Sequence, residues 1–229
     1  SLGLLLLVCV QGAFGAWTVT LKLQPIIVTF HLILALLLLA ALTSYAQQVW
    51  VGKNSAVQVL QIKPVSGVLW LFAFVTLFCQ IFLGAWVSTN YAVLACPEFP
   101  TCLGSAWPET NWQEGFTLWR QLGLNAQGEF ISPVALQTIH WAHRLFACLV
   151  LLVLSFLAWQ ILQRSSPATE GLNRFAKLLL SLLGLQIITG ISNVIFQWPL
   201  VAALLHTAGS AALVFCMVRI GYWTSWKRL

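Results

Sequence analysis

The sequence predicts an all-α integral membrane protein of six transmembrane helices, and three observations carry that prediction. Of 229 residues, 60% are hydrophobic and only 7% are charged, whereas a soluble domain carries about 25% charged residues. The hydrophobic residues fall in six runs, near 2–19, 26–45, 68–88, 135–161, 175–196 and 200–222. Each is close to the roughly 20 residues that cross a bilayer as helix. No segment shows the short apolar–polar alternation of a membrane β-barrel.

Charge places the connections between these runs. Lys53 and Lys63 follow the second run, Arg164, Arg174 and Lys177 flank the connection after the fourth, and Lys227 and Arg228 close the chain. Lys and Arg favour cytoplasmic loops, so these regions share the cytoplasmic side. The opposite side receives a short turn with Lys22 and the long loop 89–134. That loop holds Glu98, Glu109, Glu114 and Glu129, four of the five acids, against Arg120. The net charge of +6 is thus a topological signal, and no nucleic-acid partner follows from it.

Loop 89–134 also contains Cys96 and Cys102 within ACPEFPTC. On the oxidising side of a membrane, with Pro97 and Pro100 favouring a tight turn, the pair fits a Cys96–Cys102 disulfide. Its role is either a structural clip or a redox-active pair that passes electrons on, and the residues leave both open. Cys9, Cys79, Cys148 and Cys216 lie in apolar runs and read as small buried hydrophobes. Further along, NWQEGFTLWRQLGL at 111–124 places Trp112, Phe116 and Trp119 on one helical face. This is either a helix lying on the outer surface of the membrane or an ordinary packed loop.

The opening SLGLLLLVCV has neither the basic start nor the small-residue cleavage site of a signal peptide. It belongs instead to an internal repeat. Residues 11–31, QGAFGAWTVTLKLQPIIVTFH, align without a gap on 186–206, QIITGISNVIFQWPLVAALLH. Gln11 meets Gln186, Gly15 meets Gly190, Val19 meets Val194 and His31 meets His206. Each copy reads as a helix, a short turn containing Pro25 or Pro199, and a second helix bearing the histidine. Repeated halves in membrane proteins often place a site at their interface. Residues 68–229 then form a complete four-helix half, whereas 1–67 supply only the helices matching its last two. The expectation is a truncated form of an eight-helix protein, lacking one N-terminal helix pair.

All four histidines lie in the outer parts of apolar runs. At 1.5 Å rise per residue, His31, His143 and His206 lie roughly 8–12 Å below their helix starts and form one layer. His140 precedes His143 by one turn on the same face. Ionisable side chains in lipid are costly and point to function, against the alternative of helix–helix hydrogen bonding. The layer offers neither carboxylates nor close Cys–His spacing for zinc. One histidine per helix in apolar surroundings suits haem held between imidazoles. Ala208, Gly209, Ser210 and Ala211 near His206 would admit a flat macrocycle or simply allow close helix packing. Arg144 either pairs with an anion such as a haem propionate or snorkels to the headgroups.

GAWVSTNYAVLACPEFPTC at 84–102 resembles the haem A synthase family motif GAxVRxTGxGLxCPDWPxC. HWAHRL at 140–145, VTFHLILALL and AALLHTAGSAAL resemble its histidine helices, and Gln-x-x-x-Gly precedes the last two. The resemblance covers essentially the whole chain. It implies eight helices in two pseudo-symmetric four-helix bundles, and oxidation of the haem O C8 methyl to a formyl group by successive hydroxylations. His143 and His206 would ligate a haem b cofactor, and His31 would ligate at the other, substrate-side site as the catalytic candidate. His140 would stand where the first-half motif has a glutamate, and Arg144 would match the family arginine. Cys96 and Cys102 would match the outer-loop pair. Departures are Ser88, Tyr91, Val93, Glu98 and Phe99 at motif positions. The implied setting is the bacterial cytoplasmic membrane, with the Cys loop outside. Haem O, haem A and lipid are implied partners; haem O synthase, terminal oxidase subunits and a second copy of the chain are candidates.

The rival is a non-catalytic bis-histidine haem b protein for electron transfer. A membrane thiol oxidoreductase would need a second outer Cys pair. A transporter would interrupt its spans with Gly or Pro near mid-membrane.

Overall fold

The computed structural model describes residues 2–53, 65–164, 166 and 169–223. Six long helices dominate: α1 (Leu2–Thr20), α2 (Pro25–Lys53), α3 (Gly67–Thr89), α5 (Pro133–Gln163), α6 (Glu170–Ile195) and α7 (Leu200–Gly221). Each is long and apolar enough to cross a membrane. A helix satisfies its own backbone polar groups, which lipid cannot do, so these runs have little alternative. α2 outlasts its apolar run by two turns. The start of α5 has a defined cap: Ser132 Oγ accepts from Ala135 N at 3.2 Å, with Pro133 in the first turn. Lys63, Lys227 and Arg228, used for topology above, lie outside the described residues.

α3, α5, α6 and α7 pack in succession, with α7 returning to α3; α2 lies against α3 and α7, and α1 packs on α2. No residue of α1 is buried. Its half-buried side is the stripe Leu4, Leu7, Gln11, Phe14, Gly15 and Thr18, the spacing of one helical face. The main core includes Leu77, Leu154, Leu157, Leu179 and Met217. A second cluster, with Ile26, Ile27, Trp86, Val87 and Ile139, lies toward the long loop. Of the four cysteines in the helices, only Cys216 is buried; Cys9, Cys79 and Cys148 are exposed on the bundle surface. A bundle of so few helices has more outward than inward positions, and the apolar pattern of a membrane span does not separate the two.

The repeat is visible bond by bond. After α1, Leu21 N donates to Trp17 O (2.9 Å), Lys22 N to Val19 O (3.1 Å) and Leu23 N to Thr18 O (2.8 Å). After α6, Phe196 N donates to Ser192 O (3.0 Å), Gln197 N to Val194 O (3.3 Å) and Trp198 N to Asn193 O (2.8 Å). The last two bonds of each set make a Schellman cap. Both caps use paired left-handed residues, Lys22 and Leu23 against Gln197 and Trp198. α3 begins the same ending: Asn90 N donates to Trp86 O, Tyr91 N to Ser88 O, and Tyr91 is left-handed. It then leaves the pattern into a 3-10 turn, Ala92–Leu94.

Loop 90–132 closes the same end of the bundle as both turns. Tyr91 meets Trp198 edge-on at 6.3 Å, and Gln24 lines one pocket with Arg120, Leu124 and Asn125. The expected surface helix over 111–124 is reduced to one turn, α4 (Trp112–Gly115). Tertiary bonds stop it. Trp86 Nε1 donates to the Gly115 carbonyl at 2.9 Å, occupying an acceptor that a continuing helix would use. Arg120 folds inward to Asn90 and donates to Leu124 O at 3.1 Å, with its guanidinium over the Trp86 ring. Burial lowers the Arg120 pKa and the nearby Glu114 charge opposes that. Trp112 and Phe116 still stack, but Trp119 stands 70% exposed outside any helix.

Candidate functional site: three imidazoles on three glycines

Each of three histidines lies on a glycine of the neighbouring helix. A Cβ added at Gly15 would stand 3.1 Å from His31 Cε1, one at Gly84 2.9 Å from His143 Cε1, and one at Gly190 3.3 Å from His206 Cε1. The repeated Gln-x-x-x-Gly therefore has a physical meaning. Glycine lets an imidazole rest on helix backbone, and the residue four before it shares that face. Gln186 Nε2 donates to the His206 carbonyl at 2.9 Å. Gln80 Nε2 donates to the His143 carbonyl at 3.2 Å and stands 3.1 Å from His143 Nδ1.

The third unit, Gln80–Gly84 with His143, escapes an alignment by sequence because the spacing differs. Sixteen residues separate Gly15 from His31 and Gly190 from His206, whereas loop 90–132 intervenes between Gly84 and His143. The available signal was GAW, which occurs at 15–17 and again at 84–86.

Among the described residues no group of three or more His, Cys, Asp or Glu gathers to hold a metal ion. The layer thus offers imidazoles singly or in pairs from different helices, and not a compact cage. That donor set and the glycine cradles fit haem, which would take its ligands from these imidazoles. His31 Nδ1 and Gln11 Oε1 are buried without a hydrogen-bond partner among the described residues.

His140 and Arg144 point to a different task. Arg144 Nη2 donates to Cys96 O at 2.7 Å, Nη1 to Thr101 O at 3.0 Å, and Nε to His140 Nε2 at 3.2 Å. Arginine only donates, so His140 accepts on Nε2. Three of the five guanidinium protons therefore hold the Cys loop and its neighbour. Cys96 and Cys102 form a disulfide, both fully buried, in a cluster with Trp141. Glu98 Oε2 accepts from Thr101 Oγ1 and Gly104 N, each at 3.0 Å. Glu114 accepts from Ser132 N at 2.8 Å and ties the loop to the start of α5. The loop acids that served above as a topology signal thus also hold the loop in place.

Helices of spanning length, a repeated helix pair and imidazoles seated on glycines define a multi-pass helical membrane protein. The chain belongs to the COX15-CtaA family of cytochrome oxidase assembly proteins, whose model matches residues 1–218. It is 36% identical over 226 residues to a heme A synthase of Shewanella oneidensis, covering 96% of this chain and 64% of that protein. It is 33% identical over 215 residues to one of Beijerinckia indica (90% and 56%). A third, of Erythrobacter litoralis, is 28% identical over 224 residues (93% and 59%). The chain thus spans somewhat over half the length of these relatives.

Proposed function

We propose that this chain is the haem-holding part of a haem A synthase, which oxidises the C8 methyl of haem O to a formyl group. The observation that carries the reading is the pair His143 and His206. Each is cradled by a glycine on a neighbouring helix. The relatives' shared name supplies the reaction class. His143 and His206 would hold a haem b, which supplies one-electron redox chemistry when bound. His31 belongs to the second, substrate-side position, and residues 1–67 and 68–229 to the two halves. The two Arg144 protons used by neither the loop nor His140 are donors for a propionate. The setting is a bacterial cytoplasmic membrane with the Cys loop on the outer face. A non-catalytic electron carrier has the same ligand pair, and the product separates the two readings.

The test is to purify the chain from a host that makes haem O, extract bound haem and identify it by mass. Haem A supports synthase chemistry in this chain. Haem b alone supports the cofactor site and leaves turnover to a longer protein. Absence of haem returns the histidines to helix packing. His143→Ala and His206→Ala should each abolish a low-spin spectrum, and an unchanged spectrum in either would remove that ligand.

A further inference from the structure

Thr189 on α6 is 4% exposed and lies three residues after Gln186. Its Oγ1 is 2.8 Å from the Leu185 carbonyl oxygen and 2.9 Å from His206 Nδ1. A threonine hydroxyl has one proton and two lone pairs, and a carbonyl oxygen can only accept. Both contacts are hydrogen bonds only if the hydroxyl donates to Leu185 and accepts from His206 Nδ1–H. The hydroxyl also lies 3.3 Å from the Gln186 carbonyl oxygen, so its single proton has two backbone acceptors on its own helix.

We propose that Thr189 is a positioning residue that fixes His206 as the Nδ1–H tautomer and presents its Nε2 lone pair to haem iron. The haem part of this inference rests on the reading above; the hydrogen bond does not. The positions equivalent to Thr189 in the other two units are Phe14 and Leu83, so neither His31 nor His143 receives a hydroxyl from that place. The Gln80 side chain turns a donor toward His143 Nδ1. Imidazoles that ligate iron or zinc characteristically give their other N–H to an oxygen, which fixes the ring and raises its basicity. Loss of such a partner typically costs about 10–100-fold in affinity. The three histidines are therefore unequal, and His206 is the one prepared as a ligand by its own helix pair.

The experiment has two arms on the full chain in detergent. With 15N-histidine labelling and no haem added, His206 should show a protonated Nδ1 and a bare Nε2. Thr189→Val, which keeps the shape and removes the hydroxyl, should redistribute the tautomers, and Thr189→Ser should restore them. An unchanged tautomer in Thr189→Val overturns the proposal whatever the haem result. In the second arm the probe is haem b, titrated into the haem-free protein. Thr189→Val should weaken binding about 10–100-fold and raise the midpoint potential, with recovery in Thr189→Ser. Wild-type affinity and potential in Thr189→Val overturn the link to iron. If His206→Ala also binds haem normally, the haem reading itself fails, while the nitrogen spectrum still decides the hydrogen bond.

Discussion

The α6–α7 unit and the α3–α5 unit make the same contact by different routes. In the first, a four-residue turn with a Schellman cap brings His206 onto Gly190. In the second, loop 90–132 separates the helices, and His143 still lands on Gly84, more tightly. The contact therefore does not depend on its connection; it depends on glycine in one helix and histidine at matching depth in the other. What the connection changes is the surroundings. The short turn leaves His206 to its own helix pair. The long loop gives Arg144, the α5 residue next to His143, two carbonyls to hold.

The largest expected effect tests that clamp. Arg144→Leu removes two charge-assisted bonds to loop carbonyls, each worth about 1.5–3 kcal/mol. Stability should fall by about 3 kcal/mol, and the buried disulfide should become reducible by added thiol, read by thermal unfolding and alkylation. Unchanged protection would show that the loop holds without its arginine. Next comes Cys96→Ser. Opening the clip should cost about 2–4 kcal/mol while haem stays bound; complete loss of haem would make the loop part of the pocket. Gly84→Ala puts a Cβ 2.9 Å from His143 Cε1, which should cost about 1–3 kcal/mol and shift the imidazole. Gly190→Ala has 3.3 Å to His206, so crowding and the gain in helix propensity of about 0.5–1 kcal/mol should nearly cancel. If Gly190→Ala proved the more damaging, the ordering of the two cradles would be wrong. Smallest is Gly12→Ala, with open space around it. It should stabilise by about 0.5–1 kcal/mol and leave every histidine untouched.

Much of this was legible in the chain because its signals are local and long. Six apolar runs became six helices, and the gapless match of 11–31 on 186–206 returned as identical capping bonds. The Cys spacing also survives folding, since it follows from turn chemistry, whereas the helix starts at Pro25, Pro133 and Leu200 set His143 about a turn further along its helix than His31 and His206. The losses have one physical origin: tertiary hydrogen bonds that no periodicity encodes. Trp86 takes a carbonyl from the expected surface helix, and Arg144 spends three donors on the loop and His140. The Gln80 unit was hidden because its histidine lies beyond an insertion. Thr189 looked like one more small polar residue in an apolar helix, and only the neighbouring ring gives it a role.

The burial of the disulfide has a kinetic consequence. A thiolate displaces one sulfur by approaching the other, so exchange needs room around the bond. Cys96 and Cys102 are both fully covered, with Trp141 packed on them and Trp107 edge-on to Trp141. While the loop is shut, no external thiol reaches either sulfur, however favourable the potentials. The rate of any exchange is then the rate at which the loop opens. The grip of Arg144 on two backbone carbonyls makes that opening rare, and the pair behaves as a latch whose key must wait for the door to move.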